Sequence, residues 1–251
     1  MRRVIYLVIS LATMMFAQNQ PQKSKPAGAP ESGKTKVLAT GSKALQNIDP
    51  VKQLHIYLVG FHPMKDDPQI QVEAHHFCKQ VNEDFAQCAL FDGGGADANL
   101  NGIEYIISEK LFDTLPAEEK QYWHPHNYEI LSGELVAPGL PETAEKELMK
   151  KKVNSYGKTW HVWMTGTAGQ PGDKLPIGAP HLAWSFNHDG EIKPGMIGSR
   201  DSRMKIDSGK KRRERADLAG MAHPQEGVNV LKTKLPGGEA PAGVKDKSEQ
   251  K

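Results

Sequence analysis

The chain has 251 residues, 38% of them apolar, and a formal charge of +2. That length and apolar content suit one domain with a sizeable core. The near balance of charge gives no general basis for binding nucleic acid or an anionic membrane.

The opening MRRVIYLVISLATMMFAQNQ joins two arginines, an apolar run (Val4–Phe16) and Ala17. The run is too short to span a bilayer comfortably, and the layout is that of a secretory signal peptide. It predicts a cleaved segment 1–17 and a mature chain without a transmembrane segment, exported to the periplasm or the extracellular space. Loss of Arg2 and Arg3 leaves 30 basic side chains against 30 acidic ones, so nucleic acid is not an expected partner. Residues 18–50 are rich in Pro, Gly, Ser, Lys and Gln and predict a disordered linker. Residues 231–251 predict a disordered tail, which leaves one globular domain over 51–230.

Within that domain HIYLVGFH (His55–His62) and QCALFD (Gln87–Asp92) predict short buried strands. GIEYIIS alternates, with Ile103, Tyr105 and Ile107 on one face. Ser108 then caps a helix through EKLFDTL, and Pro116 breaks it and starts the next. YEILSGELVA (Tyr128–Ala137) predicts another strand. PETAEKELMKKKVNSY predicts a helix whose early glutamates and late lysines suit its dipole. KTWHVWMTG and HLAWSFN predict strands, with Trp160 buried, and residues 199–218 predict a polar helix whose basic run KKRRER forms a solvated face. No repeated βαβ order appears. The fold class expected is therefore α+β, a mainly antiparallel sheet with helices packed on it in a single domain.

Five histidines are candidate metal ligands: His75 and His76 in EAHHFC, His124 and His126 in WHPHNYE, and His161 in GKTWHVW. Pro125 pushes His124 towards extended backbone, where residues i and i+2 share a face. His124 and His126 are thus expected together on an extended segment facing His75 or His76. With Glu129 the order is similar to the first metal-binding motif of cupins, although the glutamate stands one residue nearer and the leading glycine is absent. Imidazole with thiolate suits zinc or another divalent transition metal. Glu83 and Glu129 are the candidate general bases for a metal-bound water. Cys78 and Cys88 are the only cysteines. Export favours a disulfide between them, with a metal or redox role as the rival reading. DANLNG lacks the twelfth-position glutamate of a calcium loop, YGKT lacks the earlier glycine of a phosphate loop, and no G-x-S-x-G occurs.

Four stretches in order, QVEAHHFCKQVNEDFAQCALFD, GIEYIISEKLFDTLPAEEKQYWHPHNYEILSGELVAPGLP, YGKTWHVW and GDKLPIGAP, resemble the oil body-associated protein family of plants and fungi, which has bacterial members. The resemblance runs from about Leu54 to Arg215. It implies a domain without an assigned molecular activity, and in plants an association with the oil-body surface. On the family pattern His75, His76, His124, His126 and Glu129 match, whereas His161 is less uniform. An export signal departs from a cytosolic oil-body setting. Aromatic strands without a complete catalytic motif favour a non-enzymatic exported protein that binds lipid or another apolar ligand. The alternative is a metal-binding protein or metal-dependent enzyme built on a His/Cys/Glu cluster.

Overall fold

Residues 24–167 and 170–250 are described by a computed structural model of the protein. The signal peptide expected over residues 1–17 lies outside the described residues. Helix α1 (Gly33–Leu45) occupies part of the predicted linker; Ser32 caps it by accepting from the Thr35 amide, and none of its residues is buried. Its lysines, alanines and leucines and the local cap favour the helix, against two glycines and two threonines. A four-residue helix α2 (Asp49–Lys52) follows, with Pro50 in its first turn.

Four antiparallel strands come next: β1 (Ile56–Pro63), β2 (Gln71–Asn82), β3 (Phe85–Phe91) and β4 (Leu100–Ile107). Helix α3 (Glu109–Asp113) starts at Ser108, whose hydroxyl accepts from the Leu111 amide, and α4 (Ala117–Lys120) starts after Pro116. Strand β5 (His124–Pro125) leads into α5 (Asn127–Leu131), and α6 (Glu142–Lys152) precedes β6 (Tyr156–His161), which pairs with β4. Short strands β7 (Gly166–Thr167) and β8 (Gln170–Pro171) pair with each other. Strand β9 (His181–Leu182), helices α7 (Met196–Met204) and α8 (Ser208–Glu214) and a 3-10 turn (Ala216–Met221) complete the domain. The expected α+β class and antiparallel sheet are what the structure has.

The sheet curls back on itself. The free edge of β6 is shared between β5 at Gly157 and β9 at Trp160 and His161. Just beyond β9, the Ala183 amide donates to Thr159 O at 2.9 Å and the Trp184 amide to Pro63 O at 2.8 Å. One short segment thereby bonds β6 on one side and the end of β1 on the other, hiding both edges. Helices α5 to α8 pack outside β1 around Phe61, Ile130, Trp184, Phe186, Met196 and Leu218.

Several predicted elements differ. Tyr128–Ala137 is not a strand: it is helix α5, a turn at Gly133 (φ 78°), and a single bridge from Val136 to Val59. Its side chains are buried on every side, and such a run carries no period to tell helix from strand. Strand β6 ends at His161, and HLAWSFN keeps only two ladder residues. Trp160 is half-buried; the fully buried tryptophan is Trp184. The polar helix over 199–218 breaks at Lys205 (φ 55°) into α7, α8 and the 3-10 turn. Its basic run is structural at its end, because Arg215 is buried and donates to Ile130 O, Leu135 O and Glu145.

The expected disordered tail is packed. Leu231, Leu235 and Val244 belong to the main core, and the chain pairs Gln225 with Asp246. Sparse apolar residues gave the segment a disordered composition, but three anchors and the Asp246 carboxylate, which accepts from Asn229 and Ser248, are enough to seat it.

Candidate metal centre

Strand register fixes what faces the inside of the curl. Ile56, Cys78, Cys88, Glu104 and Thr159 are successive cross-strand partners, and so are Leu58, His76, Leu90, Gly102 and His161. Partners in a ladder point to one face, so one carboxylate and two histidines share the interior with apolar residues. His62 joins them from the end of β1. β5 brings His124 against Gly157 of β6, and His126 follows as the residue before α5. The extended segment expected for the pair therefore covers only His124 and Pro125. Their imidazoles still lie together, with ring centroids 5.0 Å apart.

Glu104 is the centre of this cluster. Its Oε2 lies 3.0 Å from His76 Nε2, and its Oε1 lies 3.3 Å from His126 Nε2 and 3.6 Å from His124 Nε2. His62 Nδ1 meets His161 Nε2 at 3.1 Å. Ligand atoms of His62, Glu104 and His124 all fall within 4.8 Å of one another. Every member is buried, His124 and His161 completely. Burial, then His126 nearby, pushes His124 down to about 3, and burial, then His76, takes His161 to about 3. Burial and His76 likewise hold His62 well below its ordinary value. Burial alone would raise the Glu104 carboxyl, but the charge of His76 and hydrogen bonds from His126 and His76 keep it well below the carboxylate range. The result is an ionised Glu104 carboxylate with His62, His124 and His161 biased to the neutral form, the protonation state in which these groups ligate metal ions.

The cluster does not satisfy itself. Neither ring nitrogen of His124 has a hydrogen-bond partner, nor has Nδ1 of His76 or of His161. Buried polar atoms normally find one, and each unpaired group costs about 1–3 kcal/mol. Gly157 keeps the space open. A Cβ there would stand 2.3 Å from Glu104 Oε1, 2.6 Å from His126 Nε2 and 2.7 Å from His124 Nε2. Gly157→Ala is expected to displace these side-chain tips and abolish metal uptake while costing only about 1–3 kcal/mol of stability. Metal titration beside thermal melting checks both halves of that expectation.

Of the residues singled out in sequence, the structure gathers His76, His124, His126 and His161. His75 points to the opposite face, as adjacent strand residues must, and is held by Tyr57 Oη at 2.7 Å and Glu73 at 3.0 Å. Glu83 is exposed in the turn between β2 and β3. Glu129 is buried in α5 with Oε1 unpartnered, and burial, then Glu134 and Glu104, raises its carboxyl well above the usual range. The direction of that shift disfavours the carboxylate form that a general base needs. Cys78 and Cys88 form a disulfide, so neither offers a thiolate. His62 and Glu104 are the two members that sequence reasoning missed. The signal for Glu104 was a lone acid midway along an apolar strand. The alternation of Ile103 and Tyr105 drew attention to the wrong face, since both are more than a third exposed, at 42% and 38%.

A buried carboxyl that accepts from the Phe61 amide gives a pH signature. Burial pushes Glu134 up to about 8, against the pull of Arg200 and of the Phe61 amide. In the unfolded chain it titrates near 4.3, so the folded state binds the extra proton between these values. Its contribution is full below about pH 4.3 and is lost as pH rises through about 8. Glu134→Gln removes that loss. The melting temperature of the variant relative to the native protein is expected to rise steadily from about pH 5 to about pH 9.

Comparison with known proteins gives the chain its relatives. Residues 48–219 match the family model described as a protein of unknown function, DUF1264. Oil body-associated protein 1B of Arabidopsis thaliana is 40% identical over 220 residues, covering 87% of this chain and 88% of that one. The chain belongs to the oil body-associated protein family. Oil body-associated protein 1A of Zea mays is 38% identical over 204 residues, with 81% and 83% covered. Oil body-associated protein 2A of Arabidopsis thaliana is 39% identical over 197 residues, with 78% of each chain covered. No solved structure matches. The family's matched region spans β1 to α8 and so contains every member of the His/Glu cluster.

Proposed function

We propose that this protein binds one divalent transition metal ion inside its curled sheet, through His62, Glu104 and His124, with His76, His126 and His161 completing or supporting the set. One observation carries the reading: a completely buried His124 with both ring nitrogens unpaired, set beside His62 and the Glu104 carboxylate. Nitrogen and oxygen donors of this kind suit zinc, iron, copper or nickel rather than calcium or magnesium. An ion there would neutralise the buried carboxylate and use one of the two orphaned His124 nitrogens. Titration of metal-free protein, prepared without a histidine tag, is expected to show one tight equivalent of zinc or cobalt. Titration without a saturable equivalent refutes the proposal.

A second reading concerns the outside of the sheet. Phe77, Ala89, Phe91 and Leu100 line an apolar groove of about 610 Å³ that Val51, Leu54 and the glycine-rich turn at Gly93–Gly95 border. Leu100 and Val51 are exposed there, and such a groove suits the acyl part of a lipid. The curated relatives are named for oil bodies, which fits this reading for the present chain. No helix among the described residues is long and apolar enough to cross a membrane. Native protein should float with lipid emulsions and Leu100→Asp should not; equal flotation of both rejects the groove. We further propose export after removal of residues 1–17. The Cys78–Cys88 disulfide supports an oxidising compartment, and cell fractionation tests it.

A further inference from the structure

Cys88 is the direct cross-strand partner of Glu104, and Cys78 is the next inward residue after His76 on β2. The disulfide therefore closes the floor of the same interior that holds the histidines. It is buried beside Ala86, Leu90 and Ile106. Directly opposed residues of an antiparallel pair have Cβ atoms only about 4.5–5.5 Å apart, so a free Cys88 sulfur and the Glu104 carboxylate would be neighbours on one face.

From this register we infer a second, thiolate-containing ligand set at the centre, comprising Cys78, Cys88, Glu104 and His76, which exists only when the disulfide is reduced and which selects a soft divalent ion such as zinc. The inference rests on the proposed metal centre and adds a redox-dependent change of ligands to it. Two electrons come from an external dithiol, which closes to its own disulfide, while its two protons pass to the Cys78 and Cys88 sulfurs. Metal binding then displaces those protons, because the thiolate is the ligand. With the disulfide intact the ion sees only nitrogen and oxygen. With it open, two soft donors stand beside Glu104, and preference moves towards zinc and copper(I) over harder ions.

The test is an anaerobic cobalt and zinc titration of the full chain in three forms. These are the oxidised protein, protein reduced by a phosphine and then desalted, and the Cys78→Ser/Cys88→Ser variant. Reduction by the phosphine consumes one water, whose oxygen ends on phosphorus and whose protons end on the two sulfurs. The oxidised protein and the double variant should bind cobalt without a thiolate charge-transfer band and ignore the reductant. The reduced native protein should gain that band and bind zinc on the order of tenfold more tightly, as added thiolates imply. A reduced protein that binds cobalt without the band and with unchanged affinity overturns the inference and leaves the metal centre standing. A reduced Glu104→Gln variant that binds cobalt as tightly as the reduced native protein also overturns it, since the thiolates would then be ligating away from Glu104. Absence of cobalt binding in all three forms overturns the underlying metal reading instead.

Discussion

Glu104→Gln is expected to weaken metal binding by roughly a hundredfold or more, because outer-shell partners alone are worth about 10–100-fold and Glu104 is placed as a ligand. Glutamine keeps the side chain's size but removes the only negative charge that the cluster's hydrogen bonds and ion pairs converge on. His76, His126 and His124 all lean on that carboxylate, so its loss unsettles the arrangement as well as the donor set. The metal-free variant should remain folded, since the surrounding strands are held by backbone ladders on both sides of β4. Competition titration against a chromophoric chelator reads the affinity, and far-ultraviolet circular dichroism confirms the fold. Affinity within threefold of native would remove Glu104 from the ligand set.

Arg215→Leu is expected to cost about 3–5 kcal/mol, the usual consequence of removing one member of a buried ion pair. The guanidinium is almost completely buried, reaching Glu145 Oε1 at 3.1 Å, Ile130 O at 3.0 Å and Leu135 O at 2.8 Å. It ties α5 and the following turn to α6 from the far side of the helical layer. Without it Glu145 keeps Lys211 and the Ala137 amide, but two buried carbonyls lose a donor. Arg212, three residues earlier, makes an exposed pair with Asp189 at 2.8 Å. Arg212→Leu should therefore change stability by less than about 1 kcal/mol. Urea unfolding of both variants tests the contrast, and similar midpoints would refute it.

Three strands were readable from local signals, two as short apolar runs ended by turn residues and one by its two-residue period. Strand β2 is polar and histidine-rich and carries no such signal. His55–His62, Gln87–Asp92 and Gly102–Ser108 each fall in a strand apart from one terminal residue, and the helix expected after Pro141 appears as α6. Where burial is complete the period vanishes, which is why α5 resembled a strand. The site was legible only in part, for a related reason. Histidines draw attention by type, and four of five converge. His75 fails because adjacent strand residues face opposite ways, a fact that needs the register to resolve. Glu104 and His62 needed more: which face of β4 turns inward, and the closure that brings β1 back to β6 through Ala183. Neither is written in a local stretch. The packed tail shows the limit of composition, since Leu231, Leu235 and Val244 do their work through placement rather than frequency.

X-ray absorption at the metal edge, on tag-free protein loaded with one equivalent of zinc and with the disulfide intact, tests the central claim most directly. The account predicts a first coordination sphere of nitrogen and oxygen at about 2.0–2.1 Å, with the multiple-scattering pattern of at least two imidazoles, which His124→Ala diminishes. A protein that retains no zinc after desalting, or whose zinc spectrum is unchanged in His124→Ala, would contradict it.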